Sequence, residues 1–250
     1  GTPWLGALFV VGIVPVALIL VRPDPEAEGW APDGIRRQVG EVPPPPSGVP
    51  FAEAIRTRFF IATTAGFLLA FGAQVGGIQQ LVKLVEDRTD ERTAQLAVTT
   101  IAGTSVIARL IGGRVAQRVA MMRLTVVLVV AQSAALLVIG LAGSTWLLFA
   151  AIVCFGATVG NILMLQPLLM AERFGVRDYP RIFSRTQLIA ITGTAGGPLL
   201  LGALYDAAGS YRVPYAVAAA CSLAGAVVLA AGGPATVVAD GADGADRHRS

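Results

Sequence analysis

Charge is what this 250-residue chain has least of. Only 14% of its residues are Asp, Glu, Lys or Arg, where soluble domains carry about 25%. Lysine is almost absent, with Lys83 alone against 18 arginines. Those arginines are scattered between apolar runs and form no stripe, which excludes a nucleic-acid surface and leaves no nucleic acid among the expected partners. The single histidine is His248, and the two cysteines, Cys154 and Cys221, sit in apolar runs with no motif spacing. A metal site therefore has almost no ligands to draw on, and both cysteines read as small buried apolar residues. No acidic residue falls in the core of an apolar run; Asp206 comes nearest, at the edge of one. Without a carboxylate pair or a nucleophile–base pair, neither enzyme chemistry nor a cofactor is expected.

Apolar length is what the chain does have. It is 54% hydrophobic, with a mean hydropathy of +0.68. A hydrocarbon core about 30 Å thick needs roughly 20 apolar helical residues to cross it. Seven runs reach or approach that length: 4–21, 59–78, 94–113, 124–143, 146–171, 186–206 and 213–232. A lone helix satisfies its own backbone hydrogen bonds in lipid, and the short alternating strands of an outer-membrane barrel do not appear. The expected fold class is all-α, a polytopic helix bundle of seven spans in a lipid bilayer.

Short cytoplasmic loops collect Arg and Lys. Fifteen of the basic residues fall in one alternating set of segments, and four fall in the other: Lys83, Arg88, Arg92 and Arg212. This predicts an inner (plasma) membrane protein with its N-terminus outside and its C-terminus in the cytoplasm. Residues 1–21 hold one span. Residues 22–56 form a cytoplasmic loop containing "EVPPPPSGVP", whose four prolines favour a semi-rigid spacer. Residues 57–232 hold six spans, and 233–250 read as a disordered polar tail. The chain opens on Gly1, and its first run lacks the charged lead-in and cleavage site of a signal peptide. The expectation is a fragment of something longer.

Two segments match at an offset of 90 residues. "IAGTSVIARLIG" from Ile101 and "ITGTAGGPLLLG" from Ile191 share five of twelve positions, and Arg109 then faces Leu199. The segments belong to the third and sixth spans, which cross in opposite directions, as inverted three-span repeats of secondary transporters do. Gly72/Gly76, Gly156/Gly160 and Gly193/Gly197 each stand four apart, a spacing that lets helices approach closely. Pro167 and Pro198 should kink the spans that contain them.

Several stretches resemble the major facilitator superfamily. "RPDPEAEGWAPDG" is similar to the segment after that family's sixth helix. "ARLIGGRVAQR" resembles its loop between the eighth and ninth helices, with Gln117 where an Asp is common. "ERFGVRDYPRIFS" and "GTAGGPLLLGALYDAAGSYRVPY" resemble the tenth-to-twelfth helix region of the monocarboxylate-porter-like and oxalate/formate-like branches. The resemblance implies that the first span is the family's sixth helix. Spans two to seven would be its C-terminal half, built as two inverted three-helix repeats. The N-terminal half of the same transporter, five helices, would be the missing partner.

Arg109 is the residue an apolar segment least accommodates, since a charge within the membrane costs several kcal/mol. With its span ending near Gly113 it lies about 6 Å inside, within reach of the headgroups. Ala102, Ser105, Arg109 and Gly112 share one helical face by their spacing. The resemblance implies a role for Arg109 in engaging a substrate carboxylate, which a guanidinium grips with paired donors. That branch has an Asp where this chain has Ser105, so its proton-coupling chemistry does not carry over. The candidate substrate-binding residues are Arg109, Ser105, Asn161, Gln74 and Thr192. Each polar residue other than Arg109 has the alternative of a helix–helix hydrogen bond. The expected function is secondary active transport of a small, monocarboxylate-like organic anion by alternating access. A drug or metabolite exporter and a non-transporting membrane sensor or assembly subunit remain the alternatives.

Overall fold

The computed structural model describes residues 47–233 and, within the first apolar run, residues 7, 10–15 and 18, all of them helical. Most of the first span, the proline-rich stretch up to residue 46 and the tail beyond 233 lie outside the described residues.

A short helix α1 (Phe51–Ala54) leads into six long ones: α2 (Arg58–Arg88), α3 (Glu91–Ala116), α4 (Met121–Leu141), α5 (Thr145–Phe174), α6 (Tyr179–Ala208) and α7 (Arg212–Ala231). Each of the six is long and apolar enough to cross a membrane. They are the second to seventh apolar runs of the sequence, but several outlast the run that announces them. α2 continues from Ile78 to Arg88, and α3 from Gly113 to Ala116. The apolar run measures only what lipid must cover, whereas the backbone ladder continues until a cap ends it. At their N-termini, α2 and α3 are opened by side-chain caps. Thr57 Oγ1 accepts from Phe60 N at 3.1 Å to open α2, and Asp90 accepts from Thr93 N at 2.9 Å to open α3. The Thr93 hydrogen bonds hold the Asp90 carboxyl below its ordinary value. Gly209, at φ 63°, closes α6 in the left-handed region, where glycine carries no Cβ penalty.

The packing obeys a two-fold exchange. α2 packs on α6 and α7, α5 packs on α3 and α4, and α4 packs on α7. Swapping α2 with α5, α3 with α6 and α4 with α7 leaves that arrangement unchanged. Burial obeys it too. The membrane-crossing windows of α3 and α6 are each 17% buried, those of α4 and α7 each 44%, and those of α2 and α5 67% and 56%. The bundle is two three-helix repeats, with α2 and α5 at its centre and α3 and α6 on its flanks.

The glycine pairs set the register of that repeat. Gly72 lies against the backbone of Gly193, and Gly76 against the backbone of Gly197 and the side chain of Leu201. In the other repeat, Gly156 lies against the backbone of Ile101, and Gly160 against the backbone of Ser105 and the side chain of Arg109. Ile101 therefore corresponds to Gly193, Ser105 to Gly197 and Arg109 to Leu201, each pair 92 residues apart. The offset of 90, which paired Arg109 with Leu199, is off by two. Shared Gly-Thr letters fixed the sequence offset, but the packing register is decided by which residue meets a glycine on the partner helix.

Two apolar clusters fill the ends of the bundle. One, with Leu84, Ile139, Phe155 and Tyr215, lies toward the α2–α3 turn. The other, with Phe67, Phe71, Ile162 and Phe174, lies at the opposite end. Between them, Gln132 Nε2 of α4 donates to Ala70 O at 3.0 Å and to Ser222 Oγ at 3.1 Å. Ser133 Oγ donates to Ala219 O at 2.7 Å. Such bonds hold helices together where lipid offers no hydrophobic drive.

The last residues before α1 are fastened to the turn between α5 and α6. Gly48 forms an antiparallel bridge with Gly175. Val49 N donates to Phe174 O at 2.9 Å, and Val176 N donates to Ser47 O at 3.1 Å. Gly48 (φ 151°) and Gly175 (φ 70°) both take backbone conformations that a side chain disfavours, and a Cβ on either would crowd the partner strand. Phe51 N, at the start of α1, donates to Asp178 Oδ2 at 2.8 Å. The Arg181 guanidinium sits 5.0 Å from the Phe51 ring centroid.

Candidate substrate-binding site

A groove of about 310 Å³ runs between α2, α3 and α5. Ile78, Leu81, Val98, Val106 and Val159 give it apolar walls, and Ser105 and Arg109 are its polar members. Ile101 and Ser105 form part of the floor where α3 crosses Gly156 and Gly160 of α5. The crossing is tight because α5 has no side chain there. A Cβ on Gly160 would stand 2.6 Å from Ser105 Oγ and 2.8 Å from Arg109 Nε.

Arg109 is exposed and is held by one bond. Its Nε donates to the Gly160 carbonyl at 3.3 Å. Its two Nη nitrogens have no partner among the described residues. Because α3 runs on to Ala116, Arg109 lies seven residues from the helix end, about 10 Å at 1.5 Å per residue.

The remaining candidates divide. Ser105 joins Arg109 in the groove, although it is only 7% exposed. Gln74 is buried on α2, one turn from the groove-lining Ile78 and on the same face, and its Oε1 has no partner among the described residues. Asn161 is buried behind the groove. Its Nδ2 donates across the helix pair to Ala108 O at 3.1 Å and along α5 to Ala157 O at 2.9 Å. Thr192 is apart from the others. It lies exposed on α6, which does not line this groove, and its hydroxyl turns back to Ile189 O at 2.7 Å. The stripe of Ala102, Ser105, Arg109 and Gly112 splits between two surroundings: the first three line the groove, and Gly112 faces Asn161.

Sequence reasoning missed the apolar walls and the seat of Arg109. The seat is a main-chain carbonyl, which every residue carries, so no residue type announces it. Gly160, four residues after Gly156, was the available signal.

At the C-terminal end of α2, two turns beyond Leu81, is a second polar cluster. Arg88 Nη1 donates to Ile139 O at 2.9 Å, and Nη2 to Gly140 O at 2.8 Å, closing the open carbonyls of α4. Beside it Tyr205 and Tyr211 stack with ring centroids 4.3 Å apart. Burial, then the neighbouring Tyr205 phenol, pushes Tyr211 up to about 12. With Arg88 engaged by carbonyls, this cluster is a structural corner.

Among solved structures the chain is similar to a variant of the E. coli fucose:proton symporter FucP. The TM-score is 0.68 at 16% identity, over 93% of this chain and 55% of that one. It is also similar to a variant of the peptide transporter POT crystallised with sulfate. There the TM-score is 0.60 at 19% identity, over 73% of this chain and 41% of that one. The chain thus spans about half the length of either structure. No curated protein matches the sequence. The sequence model that matches, over residues 76–246, is that of the Major Facilitator Superfamily. With all six long helices accounted for by that fold, the chain is a multi-pass membrane protein and belongs to the Major Facilitator Superfamily.

Proposed function

We propose that this chain supplies the C-terminal half of a secondary transporter that moves a small organic anion with an apolar body, monocarboxylate-like, by alternating access. The observation that carries the reading is Arg109. Its Nε is seated on Gly160 O while both Nη donors have no partner among the described residues, at the rim of a groove that is apolar apart from Ser105. A carboxylate accepts a paired donor of that shape, and apolar walls suit a hydrocarbon tail. The groove is open to one side, and the exposed flanks α3 and α6 leave room for an N-terminal half to complete the site. Both similar structures are transporters by their descriptions and about twice this chain's span, which supports transport as the general activity. The charge bias of the sequence supports an inner-membrane orientation with the C-terminus in the cytoplasm.

The test is uptake of radiolabelled benzoate, butyrate and lactate by proteoliposomes containing this chain with its N-terminal half. Arg109→Gln should raise the half-saturation concentration of the transported acid about tenfold or more, the value of a charge-assisted pair. Arg109→Lys should fall between, since it keeps charge but loses the fork. Normal insertion with unchanged affinity in both variants would leave Arg109 an anchor and favour the exporter. Absence of uptake of all three acids would overturn the anion reading.

A further inference from the structure

Arg109 does not orient itself. A long side chain exposed on a flank helix samples many rotamers, and an anion would have to freeze them on arrival. In this chain two consecutive residues of α5 hold two consecutive residues of α3. Gly160 O accepts from Arg109 Nε at 3.3 Å, and Asn161 Nδ2 donates to the carbonyl of Ala108, the residue just before the arginine, at 3.1 Å. Two glycines clear the space for this grip. A Cβ on Gly160 would crowd the guanidinium, and a Cβ on Gly112 would overlap Asn161 Oδ1.

The other repeat shows that the helix crossing does not require this grip. Gly76 stands where Gly160 does, 84 residues earlier, so Gly77 stands where Asn161 does, and Leu201 stands where Arg109 does. That crossing closes with neither the amide nor the guanidinium, and the Gly77 carbonyl instead accepts from Tyr215 Oη at 2.7 Å. The two polar residues occur together on one side of the two-fold and are absent together on the other. Asn161 is also a poor choice for stability alone. Its Oδ1 is buried with no partner among the described residues, which costs desolvation that an apolar residue would avoid.

We propose that Asn161 is a positioning residue: it locks the rotation of α3 at Ala108 so that Arg109, seated on Gly160 O, presents its Nη edge to the groove. This role rests on the anion reading of Arg109. Asn161 touches no substrate; it acts by removing the ordering cost that binding would otherwise carry.

The geometry also supplies a test that separates positioning from packing. Asn161→Ala removes the donor and opens a hole. Adding Gly112→Ala places a methyl where Asn161 Oδ1 was and refills the hole without restoring the donor. In benzoate uptake by the transporter assembled from both halves, Asn161→Ala should raise half-saturation about three- to tenfold, the cost of ordering one long side chain. It should do so by more than it lowers the maximal rate. The Asn161→Ala/Gly112→Ala pair should recover thermal stability and keep the weakened affinity. On an Arg109→Gln background, Asn161→Ala should add nothing to half-saturation. Affinity that returns with the packing, or an equal effect with and without Arg109, would make Asn161 structural and overturn the proposal. So would unchanged affinity in Asn161→Ala while Arg109→Gln is weakened. If Arg109→Gln itself leaves affinity unchanged, the anion reading falls first, and Asn161 has no guanidinium to position.

Discussion

The chain builds one helix crossing twice and equips it differently each time. Where α2 meets α6, glycine faces glycine, and Leu201 completes the contact. Where α5 meets α3, glycine faces Ile101 and Ser105, and Arg109 takes the place of the leucine. The two sites share register and close approach, so those properties belong to the architecture. Polarity belongs to one site only, so it calls for a separate explanation. An internal repeat thus acts as its own control: whatever the leucine copy lacks, the bundle does not need in order to form.

The largest effect should come from the crossing itself. A Cβ on Gly197 would overlap the Gly72 carbonyl, which is backbone and has nowhere to go, whereas one on Gly156 meets first the Thr104 hydroxyl, a side-chain atom, with the Ile101 backbone no nearer than 3.0 Å. Gly197→Ala should lower stability by about 2–3 kcal/mol, the upper range for overpacking. Gly156→Ala should cost less, and Gly196→Ala, which meets nothing within 4 Å, should cost nothing. Thermal unfolding in detergent ranks the three; a harmless Gly197→Ala would break the comparison.

Tyr215→Phe comes next. It removes the bond to Gly77 O, the carbonyl at the place equivalent to Asn161, while keeping the buried ring. A loss of about 1 kcal/mol is expected from the same unfolding assay, the usual value of one internal hydrogen bond.

The two turns that open α3 and α6 sharpen the contrast further. Asp90 and Asp178 hold the same N-cap position. Asp90 caps its own helix, but Asp178 accepts instead from Phe51 N at 2.8 Å. Asp178→Ala should leave α6 in place and release the segment before α2. Hydrogen exchange at Phe51 should rise several-fold with little change at Ile182; equal changes at both would mean that Asp178 serves its own helix.

The smallest effect is one of pH. Tyr211 is held neutral to about 12 in the folded chain, against an ordinary value of 10.0. Between those values the unfolded chain sheds a proton that the folded chain keeps, so stability should fall as pH rises through that window and be unaffected below it. Tyr211→Phe should make the slope of unfolding temperature against pH from 10 to 12 shallower.

How much of this could be read from the letters follows from what each feature depends on. The six long helices were legible because length and apolarity are properties of one segment. So were the glycine pairs, which do meet as close approaches. The repeat register was misread by two because it depends on pairs of helices, and Gly-Thr at residues 103–104 and 193–194 drew the offset toward identity. Asn161 was singled out as polar and deep, but its partner, the carbonyl of Ala108, has no signature. Thr192 drew notice for its hydroxyl, which bonds within its own helix. The prolines of 43–46 suggested a spacer that would run on to residue 56. The bridge from Gly48 to Gly175 needs two glycines 127 residues apart, which no local pattern links.

That bridge separates the place where the polypeptide enters this half from the place where a pull on it is felt. In sequence, residue 47 leads to α2. In mechanics, tension arriving from the N-terminal side is met at Ser47 and Val49 by main-chain bonds to Phe174, Val176 and Arg177, and by the Asp178 cap on Phe51. The load passes to the α5–α6 turn before α2 bears any of it. It reaches first the helix that carries Gly160 and Asn161, the two residues that grip α3 beside the groove.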